Sequence, residues 1–219
     1  SYDCSKAHIL ASVDQSLKRL RTDYLDILLL HRPDALMNPA EVAEAFETLK
    51  SSGKVRYFGV SNQNPGQIAL LNRYWKDRIL IDQMQLSITN CSMIDSGIYV
   101  NTESEYAVDR DGGLLDFCRL QGILLQAWSP FQYGMFQGAF LGSERYPVLN
   151  QKINELAEKY NVTANAIAVA WILRHPARIQ TIVGTTSVQR LIGICKASDV
   201  RLTRTEWYAL YCAAGKTLP

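Results

Sequence analysis

Five short apolar runs, each separated from the next by segments of helical pattern, limit what this chain can fold into. The runs occupy residues 24–30, 55–60, 79–84, 123–128 and 179–183. Each has strand length, and several are apolar without alternation, as expected where both faces of a sheet are covered. The segments around them carry apolar residues at helical spacing. Ser5 can cap a first helix bearing Ile9, Val13, Leu17 and Leu20. Residues 39–52 place Val42, Phe46 and Leu49 on one face, with Gly53 just past the end. Further helices are predicted over 65–74, 114–121, 148–160, 163–174, 188–196 and 203–214. This alternation predicts an α/β fold with parallel strands and right-handed crossovers.

Two architectures use that alternation. A doubly wound sheet can be built from five strands, whereas a (β/α)8 TIM barrel needs eight and about 250 residues. The polar clusters His31, Ser61-Asn62, Gln83, Trp128-Ser129 and Gly184-Thr185-Thr186 all follow strands. That puts them on one face, where barrel sites lie. No Gly-rich loop follows the first strand, as a doubly wound fold would usually have. The chain also opens on a helix with no strand before it. The expectation is a single barrel domain over residues 1–219, with about five βα units present and the first three strands missing. Residues 87–113 are polar and without period, and are expected to form a surface loop excursion.

Composition narrows the function. The 219 residues carry a formal net charge of +2 and no run of like charges, so neither nucleic acid nor an anionic membrane is an expected partner. No apolar run is long enough to span a bilayer. The five cysteines are scattered, odd in number and without a CxxC, which points to reduced thiols in a cytoplasmic protein. No metal-ligand cluster is expected. Oligomeric state cannot be read from these residues.

Several strings then carry a resemblance. They are SVDQSLKRL at 12–20, TDYLDILLLH at 22–31, GKVRYFGVSN at 53–62, Asp82-Gln83, AWSP at 127–130, and IVGTTS at 182–187 with Arg190. In this order they resemble the aldo-keto reductases, over essentially the whole chain. The resemblance implies a TIM barrel and NADPH-dependent reduction of aldehydes or ketones to alcohols by hydride transfer. The family's Asp, Tyr and Lys, with Tyr the proton donor, come from earlier βα units. By order they would precede Ser1, so little or no turnover is expected of these 219 residues alone.

The resemblance also implies roles. His31 is the catalytic residue carried over, orienting a substrate carbonyl, for which neutral imidazole is the useful form. Ser61, Asn62 and Gln83 would hold the nicotinamide amide, whose one acceptor and two donor hydrogens suit carboxamide partners. Trp128 would stack on the nicotinamide, and Ser129, Phe131 and Gln132 would belong to a loop over the pyrophosphate. Gly184, Thr185, Thr186 and Ser187 lead into a helix with Arg190 one turn in. Backbone N–H groups, hydroxyls and a guanidinium there suit the 2′-phosphate of NADP. Two other readings remain open at this point. One is a nicotinamide-binding regulatory or sensor subunit without efficient catalysis. The other is a metal-dependent hydrolase using His31 and Asp34.

Overall fold

The computed structural model describes residues 2–219. Its helices are α1 (Lys6–Leu20), α2 (Pro39–Ser51), α3 (Pro65–Tyr74), α4 (Ser92–Ile98), α5 (Leu114–Gln121), α6 (Pro147–Tyr160), α7 (Ala164–Leu173), α8 (Val188–Cys195) and α9 (Arg204–Ala213). Its strands are β1 (Leu25–Leu30), β2 (Val55–Ser61), β3 (Ile81–Gln85), β4 (Leu124–Trp128) and β5 (Gln180–Thr181), in sheet order β1-β2-β3-β4-β5. The pairings β1–β2, β2–β3 and β4–β5 are parallel. Among the described residues no helix is long and apolar enough to cross a membrane. The chain forms two compact units, Ser1–Gln83 with Asp111–Leu124, and Met84–Arg110 with Leu125–Pro219.

In the first unit the helix ends are set by local chemistry. The Ser5 hydroxyl accepts from the His8 N–H and caps α1. Asn64 and Gln67 exchange side-chain and backbone bonds in a capping box, with Pro65 opening α3. Gly122, at φ 68°, ends α5 in the left-handed region. The apolar face of α2 meets β2 in an aromatic cluster. The Phe46 and Phe58 rings stack at 4.1 Å, and Trp75 stands edge-on to both at 5.6 and 5.3 Å.

Gly59, in the middle of β2, is what lets β1 and β3 approach on either side. A Cβ there would meet Leu29 Cδ2 at 2.4 Å and the Ile81 carbonyl oxygen at 2.7 Å. Gly59→Ala is therefore expected to cost about 1–3 kcal/mol by overpacking. The urea midpoint of the variant checks this, and an unchanged midpoint would contradict it.

The second unit is organised around α7, where the seven residues Ala166–Ile172 are all buried. A helix apolar all round is a core helix. Thr163 caps it by accepting from the Ala166 N–H. Trp171 stacks on Trp207 of α9 at 4.7 Å. Each indole N–H donates to the other residue's main-chain oxygen, at 3.1 and 2.9 Å, so neither is left unpaired in the core.

Two expectations are corrected here. Residues 87–113 are not simply a surface excursion: they contain α4, and Ile88, Cys91, Met93, Ile94, Asp95 and Tyr99 are buried. The reason is a buried ion pair, Asp95 with Lys216, supported by a Tyr99 hydroxyl that donates to the Thr217 carbonyl. The apolar run 179–183 also pairs as strand over only two residues, although the Ile182 N–H still donates to the Ala127 carbonyl at 2.8 Å.

Candidate cofactor site

The first unit brings Ser61, Asn62 and Gln83 together. Parallel pairing sets Val60 opposite Asp82 and Ser61 opposite Gln83. The buried Ser61 hydroxyl donates to the Gln83 carbonyl at 2.8 Å, and the Asn62 N–H donates to the same oxygen at 3.1 Å. Asn62 Nδ2 in turn donates to Ser61 Oγ at 2.7 Å. Asn62 sits at φ 58°, a left-handed conformation that Asn tolerates better than most residues. The Ser61 proton is committed to the main chain, so this hydroxyl has only a lone pair left for a ligand.

His31 lies just beyond β1 and is exposed. It lines a pocket of about 270 Å³ with Cys4, His8, Leu29 and Arg32. His8, on α1, lines the same pocket as His31.

Two polar residues went unassigned in the sequence. Asp82 is fully buried, and neither carboxyl oxygen has a hydrogen-bond partner. Burial pushes its pKa up to about 7, against the pull of the Gln63, Asn62 and Gln83 backbone N–H groups. Gln63 is likewise buried, with both amide atoms unpartnered. The available signal was an acidic residue inside an apolar strand.

The second unit carries the remaining residues. Trp128 ends β4 half-buried, and its carbonyl accepts from the Leu86 N–H at 3.3 Å. Ser129 turns the chain at φ 51° and accepts from the Gln132 N–H. Gln132 bridges to Ala139, and the Phe140 N–H donates to Phe131, so the loop folds back on itself. The Gln132 carbonyl accepts from the Ser87 hydroxyl at 2.7 Å, and its side-chain oxygen is buried and unpartnered.

Phe131, Asn165, Gly184, Thr185 and Arg190 line a cleft of about 400 Å³. Thr186 and Ser187 join Gly184, Thr185 and Arg190 along an adjoining hollow. Ser187 caps α8 by accepting from the Arg190 N–H at 3.3 Å, and Thr185 Oγ1 accepts from the Ser187 N–H at 3.2 Å. A Cβ on Gly184 would meet nothing within 4 Å. An exposed guanidinium, hydroxyls and a helix N-terminus around open space suit a phosphate.

Comparison with known proteins decides the family. The Aldo/keto reductase family pattern matches residues 1–211. This chain belongs to the aldo/keto reductase family. It is 38% identical to the uncharacterized oxidoreductase YcsN of Bacillus subtilis over 212 residues, covering 97% of this chain and 65% of that protein. It is 32% identical to a 6-dehydroglucose reductase of Agrobacterium fabrum, with the same coverage of 97% and 65%. A crystallised thermostable aldo-keto reductase, bound to the inhibitor epalrestat, superposes with a TM-score of 0.74 at 27% identity. That match covers 95% of this chain and 67% of the other. The α/β fold of TIM-barrel class expected from sequence agrees with these structures. The chain spans about two thirds of the length of the relatives it matches.

Proposed function

We propose that the whole protein is an NADPH-dependent reductase of aldehydes or ketones and works in the cytoplasm. The observation that carries this is the Ser61–Asn62–Gln83 group, three amide- and hydroxyl-bearing residues tied together where the end of β2 pairs with the middle of β3. They would hold the nicotinamide carboxamide. Trp128 would cover the ring, and Ser129, Phe131 and Gln132 would flank the pyrophosphate. Gly184, Thr185, Thr186, Ser187 and Arg190 would take the 2′-phosphate. When bound, the cofactor supplies the hydride. The protein's own residues bind and orient it, and His31 would orient the substrate carbonyl by a hydrogen bond. The name of the Agrobacterium relative denotes an oxidised sugar substrate, so a polar small-molecule carbonyl is the substrate class proposed here.

Arg190 supplies the test. Its guanidinium would meet the phosphate that NADPH has and NADH lacks, in charge-assisted bonds. Arg190→Ala is expected to weaken NADPH binding about tenfold, roughly 1.4 kcal/mol, and leave NADH binding unchanged. Fluorescence titration of both cofactors reads this. Equal weakening of both, or of neither, would contradict the 2′-phosphate assignment.

A further inference from the structure

Two hollows adjoin at the start of α8 and share Val183, Gly184, Thr185 and Arg190. Thr186 and Ser187 complete one of them, so hydroxyls and a guanidinium line it. Phe131, Ala139, Leu141 and Asn165 complete the other, of about 400 Å³. That second hollow adds apolar walls and one carboxamide to the shared residues.

Asn165 stands in the first turn of α7, whose other side chains are those of Ala, Ile, Val, Trp and Leu. A carboxamide there breaks the pattern of a core helix. Capping does not account for it. Thr163 caps α7, its hydroxyl accepting from the Ala166 N–H at 3.2 Å. Asn165 is half-buried, and among the described residues no hydrogen bond engages its side chain. Its amide therefore has one acceptor and two donor hydrogens for whatever enters the cleft.

In NADPH the adenine is bonded to the ribose carbon beside the one that carries the 2′-phosphate. A phosphate at Arg190 thus leaves the base two places, the neighbouring hollow or solvent. Adenine has two apolar faces and a polar edge, on which the N6 amine donates beside the N7 acceptor. Ala139 and Leu141 suit a face. One Asn carboxamide can meet N6 and N7 together.

We propose that Asn165 is a specificity residue that selects adenine, its Oδ1 accepting from the N6 amine and its Nδ2 donating to N7 while the ring lies against Ala139 and Leu141. This rests on the cofactor reading given above.

The experiment is a fluorescence titration of NADPH and of its hypoxanthine counterpart against wild type and Asn165→Ala at neutral pH. In the counterpart a carbonyl oxygen replaces the N6 amine, and the fluorescent dihydronicotinamide is unchanged. Its edge presents two adjacent acceptors, so in either orientation the Asn165 amide oxygen faces one of them. Wild type is expected to bind NADPH about tenfold more tightly than the counterpart. Asn165→Ala should bind the two within about twofold of each other. A wild type that does not distinguish them, or a variant that keeps the full preference, would overturn the proposal while leaving the cofactor reading intact. Absence of saturable NADPH binding to wild type would overturn both. Should Asn165→Ala not fold, Asn165→Leu, closer in volume, is read in the same way.

Discussion

Replacing Lys216 by methionine is expected to destabilise the protein by about 3–5 kcal/mol, the usual cost of breaking a buried ion pair from one side. Lys216 and Asp95 side chains are 7% and 6% exposed, so neither charge is screened by water. Asp95 Oδ1 also accepts from the Tyr211 hydroxyl at 2.8 Å and from the Cys91 thiol at 3.4 Å. The ammonium lies over the Tyr106 and Tyr211 rings at 5.0 and 5.5 Å. Methionine fills similar volume but leaves the carboxylate among these groups without its cation. The double variant Asp95→Leu/Lys216→Met should recover most of the loss, because removing both charges is often close to neutral. Burial works against the Lys216 charge, but Cys91 and the Asp95 carboxylate together outweigh it and hold the pKa above the usual lysine value. A raised pKa means that the contribution is complete below the ordinary lysine pKa and is lost as pH rises through the folded value. The pair therefore persists through neutral pH. Urea unfolding measures the change, and a loss below about 1 kcal/mol would contradict a buried, charged pair.

Asp82→Asn is expected to act in the opposite direction on stability. The wild-type carboxyl titrates near 3.8 when unfolded and near 7 when folded. Its folded pKa is raised, so stability is highest below about pH 4 and falls as pH rises to about 7. Keeping the carboxylate buried above that costs about 4 kcal/mol. Asparagine removes the charge but leaves an amide donor unpaired, at about 1–3 kcal/mol. A net gain of about 1–3 kcal/mol is expected at pH 8, shrinking toward zero or reversing near pH 4. Thermal or urea unfolding across that range shows it, and a loss at pH 8 would contradict the burial argument.

The parts legible in the sequence are those governed by neighbours. Ser5 announces its helix because capping bonds reach only two or three residues ahead. The Ser61–Asn62 position is legible because it closes the β2 string, whereas Gln83, in the middle of β3, meets it only through the parallel pairing of the two strands. What escaped depends on distance or on context. Asp95 and Lys216 lie 121 positions apart, and no local pattern links them. Helix α4 has no side-chain cap and contains Gly97, so its seven residues look like loop until the ion pair and Met93, Ile94 and Tyr99 hold them inward. Asp82 reads as part of a strand string. Only its burial and its unpartnered oxygens single it out.

Saturation-transfer NMR of the protein with NADPH tests the central claim most directly, because it reports which ligand protons touch protein. In the proposed function, Ser61, Asn62 and Gln83 would meet one end of the cofactor, and Gly184 to Ser187 with Arg190 would meet the other. The account predicts transfer to both the nicotinamide and the adenosine protons. Asn62→Ala should selectively diminish the former and Arg190→Ala the latter. Transfer to neither end, or to the adenosine alone with no effect of Asn62→Ala, would contradict it.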